Sequence, residues 1–483
     1  QTMESVFGRE FVISMKLAAD SEVTGALILR ADSATVAEIL TVWKRSVKAS
    51  HTRQIFNGTE YYTSLSNPTL NSQQLYYVIL QDIFALSSDE AQIQRIIELS
   101  TQTDSPKSLA GNAAFAPALQ RRSESEVVSL FINPRAFDGR IQARGDLPLY
   151  AESIWNRCRW ITLRGLFESR QLKLQLLADY DSQKSPDWWA RQVALQGKQA
   201  LPLNEIPASA CLMLSGHVES NSIRDLVKQA AGDPGARPDN VLQIRRVLTG
   251  LLRGADPLDD LLPRLGPRWL FYTVPRKHTA PVTFPLDGLI AIELQLQGTA
   301  AQKNQIKVGV ENALQTGLNA LAVIHNAKTT GKLSMLRQRS STNATVHWAE
   351  PVTFFRPAFA VTDRRLIIAT DPEVCDAFVV REAMAFRHRS DGRTRQPASD
   401  KPSQLALENQ LILANSIETR KLLATHSDWF VRQAKQGNIS ESDAHQRLIE
   451  LQDALTVIDS VWFSLSGDTH TLTGTIGASL EAE

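Results

Sequence analysis

Two clusters of charged residues have the strongest potential for chemistry in this chain, one acidic and one basic. The acidic cluster is Asp256, Asp259 and Asp260 in the segment GADPLDD. Carboxylates bind hard cations, but a metal site needs further oxygen or nitrogen ligands at compatible spacing, and none is adjacent here. A helix start beside Asp259 accounts for the cluster more simply. The sequence therefore predicts no metal site at these residues.

The basic cluster lies in and just before residues 385–403 (AFRHRSDGRTRQPASDKPS). Its cationic side chains are Arg381, Arg387, His388, Arg389, Arg393, Arg395 and Lys401. One interpretation is a site for an anionic partner, such as an acidic protein, a lipid headgroup or a polyanion. The other is an exposed, solvated loop. Phe386 is its only aromatic residue, so base stacking is not indicated, and the net charge of +1 gives no global sign of nucleic-acid binding.

No recognisable catalytic motif is present. The sequence contains no G-x-G-x-x-G, no P-loop, no G-x-S-x-G and no HExxH pair. Its three cysteines, Cys158, Cys211 and Cys375, lie in or beside apolar runs and are predicted to be buried thiols, not disulfides. A catalytic triad assembled from distant residues stays open. We therefore predict a protein that is not an enzyme and has no catalytic, cofactor-binding or metal-binding residues, and no cofactor.

Two adjacent tryptophans, Trp188 and Trp189, follow the first half of the chain. They are interpreted either as an exposed contact surface or as residues that hold a linker helix against its module.

The elements that would position such residues occur twice along the chain. Four blocks recur in the same order: residues 8–11 and 266–269, residues 84–89 and 366–371, the strands that end at Asn133 and Asn415, and residues 160–165 (WITLRG) and 462–467 (WFSLSG). Collinear recurrence of this kind indicates a duplicated module. With 483 residues, the chain is also long enough for two or more domains.

Each predicted module contains strands, hairpins and capped helices in one order. Hairpins are predicted at residues 75–86 and 358–369, and the final hairpins at residues 160–179 and 462–479 show period-two alternation. Asp371, Asn415 and Ser440 have the position and chemistry of helix caps. The predicted fold class is α+β, with two tandem homologous modules of mainly antiparallel sheet packed against helices.

The predicted domains are a first α+β module at residues 1–200, a connecting strand–helix leader of the second module at 201–264, and a second α+β module at 265–483. The first module lacks such a leader. By analogy with the second, we expect the natural protein to begin about 50–60 residues earlier, with room for a targeting segment. Alternatively, the first module has no leader and borrows the one at 201–264.

The chain resembles an uncharacterised family of large exported bacterial proteins of the planctomycete and cyanobacterial type. The resemblance is carried by the openings Gly8–Phe11 and Gly266–Trp269, by FALSSDEAQIQRII, by SLAGNAAFAPAL and by VVSLFINPRAF. The second copy departs from this pattern, because the basic segment replaces SLAGNAAFAPAL. The resemblance implies a location that is exported, periplasmic or membrane-associated, with membrane association expected through an N-terminal segment not present in this chain. It implies no activity.

Together these observations predict a non-catalytic exported scaffold or protein-interaction subunit, possibly part of a larger cell-envelope assembly. Its expected partners are other envelope proteins, through strand pairing at open sheet edges, and not nucleic acid. The alternative is a carrier or binding protein for a hydrophobic small molecule or lipid, which would need a sizeable apolar cavity. A hydrolase is the third hypothesis and would need a nucleophile and a base that converge in a cleft.

Overall fold

The computed structural model describes residues 11–17, 23–30, 36–37, 41, 50–65, 74–101, 125–137, 155–181, 191–192, 195, 201–225, 243, 245–246, 249–250, 256–276, 284–296, 298–328, 334–350, 355–390, 410–467 and 470–480. Contacts divide the chain into two compact units, Gln1–Arg122 with Asn133–Pro148, and Ser123–Ile132 with Leu149–Glu483. The domain boundaries predicted from the sequence at residues 200 and 264 stay predictions.

The first unit contains a six-stranded antiparallel sheet. Its strands are β1 (Phe11–Leu17), β2 (Val23–Arg30), β3 (Ser50–Phe56), β4 (Thr59–Leu65), β5 (Gln74–Leu80) and β6 (Ile83–Ser87), in the spatial order β1-β2-β6-β5-β4-β3. Helix α1 (Glu90–Thr101) buries Ile93 and Ile97 against β5 and β6. At the start of this helix, the side chain of Asp89 accepts a hydrogen bond from the amide of Ala91.

The second unit contains a thirteen-stranded antiparallel sheet. Its strands are β7 (Glu126–Ile132), β8 (Cys158–Glu168), β9 (Gln171–Tyr180), β10 (Leu212–His217), β11 (Leu265–Pro275), β12 (Leu286–Leu294), β13 (Leu336–Ser340), β14 (Thr345–Ala349), β15 (Ala358–Val361), β16 (Arg365–Ala369), β17 (Gln410–Asn415), β18 (Ile458–Gly467) and β19 (Thr471–Leu480). Their order is β13-β14-β15-β16-β12-β11-β10-β17-β18-β19-β9-β8-β7. The hairpins predicted at residues 75–86, 160–179, 358–369 and 462–479 are confirmed.

Five α-helices with described bounds pack on this sheet or on one another. They are α2 (Ala300–Lys328), α3 (Pro372–Ser390), α4 (Ser416–Thr425), α5 (Ser427–Gln436) and α6 (Glu441–Val457). At the end of the sheet that contains β14 and β15, both faces are covered. Helix α2 contributes Val310 and Leu318 to a core on one face, and α3 contributes Phe378 and Val379 to a core on the other. Strand positions alternate between the two faces, so this part of the sheet is apolar on both sides.

The predicted helix caps of this unit are confirmed. The side chain of Asn415 accepts from the amide of Glu418 at 3.2 Å, and that of Ser440 accepts from the amide of Asp443 at 3.1 Å. The side chain of Asp371 accepts from the amide of Glu373 at 2.8 Å. These bonds satisfy amides in the first helical turn that have no partner within the helix.

The predicted α+β fold class, with each module forming its own sheet packed against helices, is wrong. The structure is mostly β and has two large antiparallel sheets of six and thirteen strands. The physical reason is the pairing of β19 with β9, in a register from Thr471 opposite Asp179 to Ser479 opposite Gln171. This pairing joins β7–β9 to the strands β10–β19 in a single sheet. Over much of that sheet, none of the described helices covers one of the two faces.

Candidate interaction surface and ionic cleft

One face of the large sheet is apolar and exposed over the strands β7–β9 and β17–β19. Directly opposed residues of an antiparallel pair point to the same face, so the strand registers identify its members. A single row of such cross-strand neighbours crosses six strands: Val128, Gly165, Leu174, Ile476, Phe463 and Ile412. We call the face that contains this row the open face.

The large side chains of the open face are exposed to an unusual degree for apolar residues. Their exposed fractions range from 37% for Ile412 to 58% for Leu172. They are Val128, Leu130, Phe167, Leu172, Leu174, Leu176, Ile412 and Ile476. Single exposed apolar residues are common on proteins, but a contiguous group of them marks a surface that contacts another molecule.

The opposite face of the same strands is covered. Trp160, Leu177, Leu411 and Trp462 are each at most 7% exposed. Helices α4 and α6 pack against β18 on this side of the sheet, and Leu411 and Trp462 belong to a core cluster with Met213 of β10. Among the described residues, the open face therefore has no covering layer, and its exposure does not come from loose packing of the strands.

Strand β7 is the last strand of this sheet within the described part of the chain, and its edge is apolar. Val127 and Val128 are 74% and 52% exposed. The strand at the other end, β13, carries Arg337 and Arg339, which form ion pairs with Glu350 and Asp376. Charged residues on an edge strand discourage pairing with another chain. Edge β13 has this protection, whereas edge β7 presents valines.

A polar cleft of about 680 Å³ opens elsewhere in the same unit. It is lined by charged side chains of β11, β12, α2, α3 and the β15–β16 turn, together with a few apolar ones: Glu205, Arg268, Glu293, Leu294, Leu296, Ala300, Lys303, Asn304, Lys307, Asp363, Arg364, Arg365 and Glu382. A second cavity, of about 310 Å³, is lined mainly by Asp259, Asp260, Pro263, Arg264, Gln295 and Ile306. Neither cavity has the apolar lining that a lipid carrier requires.

A buried ionic group forms the inner wall of the cleft. The guanidinium of Arg365 lies 2.7 Å from Glu205 and 3.8 Å from Glu382, and all three side chains are at most 8% exposed. The hydroxyl of Thr362 donates to Glu382 at 3.3 Å. Burial raises the pKa of the Glu382 carboxyl, because the low-dielectric surroundings disfavour its charged form. A buried carboxyl group of this kind occurs at structural and at catalytic sites alike.

The acidic cluster singled out in the sequence is neutralised locally. Arg245 donates to Asp256 and to Asp259, each at 2.7 Å. The other oxygen of Asp256 accepts from the amides of Leu258 and Asp259, so Asp256, and not Asp259, caps the short helix that follows. The hydrogen bond from Arg245 lowers the pKa of Asp256. Within the described residues, no group of three or more histidine, cysteine or acidic side chains is placed to hold a metal ion.

The structure divides the basic cluster. Helix α3 continues to Ser390, so Arg387, His388 and Arg389 are helical and do not belong to a loop. Arg381 lies within the fold, where its Nη2 donates to the hydroxyl of Tyr272 at 2.8 Å and its guanidinium stacks over the ring. The remaining cations, Arg393, Arg395 and Lys401, lie outside the described residues, as do Trp188 and Trp189.

The prediction of three buried thiols is confirmed. Cys158, Cys211 and Cys375 are free and buried. Burial raises the pKa of Cys211 to about 11 and that of Cys375 to about 12. Their thiolate forms are therefore scarce at neutral pH, and these groups are not activated nucleophiles.

Sequence reasoning missed the open face, the exposed valines of edge β7 and the Arg365 group. In β9 the residues Leu172, Leu174 and Leu176 do alternate with polar residues, as expected of a half-buried strand. The expectation was that their apolar side packs inward, whereas the structure leaves it exposed. Charged residues in the neighbouring strands were a local signal of this difference between the faces. Arg164 of β8 and Glu126 of β7 lie on the covered face, where they form a buried ion pair.

Protein-family models, curated proteins and solved structures were compared with the chain, and none of them matches it. The resemblance to exported bacterial proteins therefore stays a prediction. In the described part of the chain, no helix combines the length and hydropathy needed to cross a membrane.

Proposed function

We propose that this protein is a non-catalytic interaction subunit that binds another polypeptide across the open face of its large sheet. The observation that carries the proposal is the group of exposed apolar side chains on the open face, which extends from Val128 on β7 to Ile412 on β17. Leaving such a surface in water is unfavourable by about 25 cal/mol for each Å² of apolar area. A partner that covers the face gains this free energy on binding.

Two further observations support a binding role. The strand order of the small sheet, β3-β4-β5-β6-β2-β1, is also the order of β13-β14-β15-β16-β12-β11 in the large sheet. We therefore propose that the chain carries a duplicated module, and repeated modules commonly serve as extended binding surfaces. The sequence also has no nucleotide loop, nucleophile elbow or zinc-protease motif.

The resemblance to exported proteins adds the hypothesis that the partner is another protein of the cell envelope. This part of the proposal rests on that resemblance alone. The alternative, a lipid carrier, is less well supported, since the two cavities described above are lined largely with charged side chains. A lipid bound to the open face is an outcome that the experiment below distinguishes.

The experiment is native mass spectrometry of the protein isolated gently from its own source, as wild type and as two variants. The first variant, Leu174→Thr with Ile476→Thr, makes the centre of the open face more polar, and threonine is β-branched and therefore well suited to strands. The control is Ile449→Thr, since Ile449 is also 57% exposed but lies on helix α6.

A stoichiometric complex with another polypeptide in the wild type and in Ile449→Thr, but not in the double variant, supports the proposal. A lone chain in all three samples contradicts it. A lone wild-type chain that carries a fixed extra mass of lipid size also contradicts it, and it makes the carrier hypothesis the working model.

A further inference from the structure

The cleft of about 680 Å³, which we call the ionic cleft, is lined by more cationic than acidic side chains. Three of its four carboxyl groups are already held by lining cations, in the pairs Glu293 with Arg268, Asp363 with Lys307, and Glu205 with Arg365. The fourth belongs to Glu382, and burial disfavours its charged form by raising its pKa. Two more cations, Lys303 and Arg364, line the same cleft. A ligand that enters it therefore meets an excess of positive charge.

Helix α2 begins at the ionic cleft and adds the positive end of its dipole to it. The helix is 29 residues long, and its lining residues Ala300, Lys303 and Lys307 follow at spacings of three and four positions, on one side of its first two turns. The first amides of a helix have no partner within it, and anions bind there. The hydroxyl of Thr299 accepts from one of them, that of Gln302, at 3.4 Å. Lys303 is exposed, and its ammonium group forms no ion pair in the part of the chain that the structure describes.

The inner wall of the cleft carries two buried polar atoms that have no hydrogen-bond partner among the described residues. They are Nη1 of Arg365 and Oε2 of Glu382, in side chains that are 5% and 4% exposed. Both residues line the cleft. Buried polar atoms in proteins are nearly always satisfied by protein, water or a ligand. A polar ligand that reaches the inner wall satisfies a guanidinium donor and a carboxyl group together.

The first copy of the proposed duplicated module forms the corresponding elements without these two residues. By the repeat of residues described above, β6 and β16 begin at equivalent positions, which are occupied by Ile83 and Arg365. Helices α1 and α3 also begin at equivalent positions, and counting along them places Ser100 at the position of Glu382. Replacing a buried ion pair by packed apolar residues is often neutral or stabilising. The Arg365 group is thus better explained by a ligand than by a need of the fold.

We propose that the ionic cleft is a binding site for a phosphate group, which is bound by Lys303, Arg364 and the first amides of α2. A phosphate group carries a charge of about −2 at neutral pH and accepts several hydrogen bonds, as this set of donors requires. The volume of the cleft is typical of sites for metabolite-sized ligands, which favours a phosphorylated small molecule over the free ion. The other polar groups of such a molecule bind Arg365 and Glu382. This site goes beyond the proposed function, since the open face takes no part in it.

The experiment is isothermal titration calorimetry of the whole chain at low ionic strength with glucose 6-phosphate, inorganic phosphate and glucose. We expect glucose 6-phosphate to bind, inorganic phosphate to bind more weakly, and glucose not to bind. Equal affinities for the two phosphate probes support the phosphate site and identify the free ion as its ligand. The absence of binding by both phosphate probes overturns the proposal, and so does equal binding of glucose and glucose 6-phosphate.

Two variants and a control locate the site. Lys303→Gln should weaken the binding of both phosphate probes by about three- to tenfold, because it removes a charged donor. The matched control is Lys328→Gln at the other end of α2, which removes the same charge outside the lining of the cleft and should leave binding unchanged. Arg365→Lys keeps the charge but removes the guanidinium fork, so it should weaken the binding of glucose 6-phosphate more than that of inorganic phosphate.

The exposed position of Lys303 keeps the test decisive if Arg365→Lys does not fold. An unchanged affinity in Lys303→Gln overturns the proposal. Equal losses in Lys303→Gln and Lys328→Gln also overturn it, because they show a general attraction of the protein for anions and not a site in the cleft.

Discussion

The indole ring of Trp462 in β18 lies across Gly477, its direct neighbour on β19, and fills the space where a side chain would otherwise project. A Cβ atom at Gly477 would overlap the ring, and Trp462 is only 7% exposed, so the ring has little room to move. The close packing of Trp462 thus depends on a glycine in the following strand.

The first prediction concerns this glycine. Gly477→Ala should lower the free energy of unfolding by about 1–3 kcal/mol, because the added methyl overpacks a close contact. The matched control is Gly474→Ala in the same strand, where the nearest side-chain atoms would lie 3.8 Å from the new Cβ. It should be neutral or slightly stabilising, since alanine also restricts the unfolded chain. Urea unfolding of both variants followed by circular dichroism measures the difference, and equal effects would contradict the assigned packing.

The second prediction separates the two faces of β9. Leu174→Thr on the open face should change the free energy of unfolding by less than about 1 kcal/mol, because Leu174 is already 42% exposed. Leu177→Thr on the covered face should cost about 2–5 kcal/mol, since Leu177 is 6% exposed and its loss leaves a cavity and a buried hydroxyl.

The same two variants test the apolar character of the open face in a second way. The fluorescence of a hydrophobic dye bound to the native protein should fall in Leu174→Thr. A wild-type protein that binds no dye, or a large loss of stability in Leu174→Thr, would show that this residue is covered.

Local patterns in the sequence predicted the local structure well. The hairpin at residues 358–369 and the caps at Asn415 and Ser440 depend only on neighbouring residues, and the structure confirms them. Turn chemistry, capping and alternation act over a few positions and can be recognised in a single sequence.

The arrangement of the strands could not be predicted in this way. Strands β9 and β19 are separated by about 300 positions, and nothing in the alternation of either strand specifies the other as its partner. The same limit applies to the site. Leu172 and Leu174 carry the pattern of a half-buried strand, but a pattern shows only that one face is apolar, and a covering layer is a property of the whole fold.

The third prediction concerns the buried thiols. Because burial raises the pKa of Cys211 to about 11 and of Cys375 to about 12, the native protein should react very slowly with iodoacetamide at pH 8. Unfolding in guanidinium chloride should expose all three cysteines to rapid alkylation. Mass spectrometry counts the added groups in each state. Rapid labelling of a native cysteine would contradict its burial and would reopen the hypothesis of a reactive thiol.

The fourth prediction follows from the buried carboxyl of Glu382, which faces Arg365, Glu205 and Arg364 in the ionic cleft. Its pKa in the folded protein is raised by burial above the ordinary value of 4.5. Below pH 4.5 the carboxyl is protonated in both the folded and the unfolded chain, and its favourable contribution to the free energy of unfolding is fully present. As the pH rises, the unfolded chain ionises first, so this contribution is lost progressively until the pH has passed the raised pKa of the folded state.

Glu382→Gln removes this titration while it keeps the shape of the side chain. The stability of the wild type relative to Glu382→Gln should therefore decrease as the pH rises from 4.5, which urea unfolding at a series of pH values measures. Glu441→Gln is the control with the opposite sign, because a hydrogen bond from Lys435 lowers the pKa of Glu441 and its contribution is lost as the pH falls. Since Glu441 is exposed, that change should be small and should disappear at high salt. The opposite result, in which the stability of the wild type relative to Glu382→Gln rises with pH, would contradict this prediction. It would mean that Arg365 holds Glu382 as a carboxylate, because attraction within the buried ion pair outweighs the cost of burial.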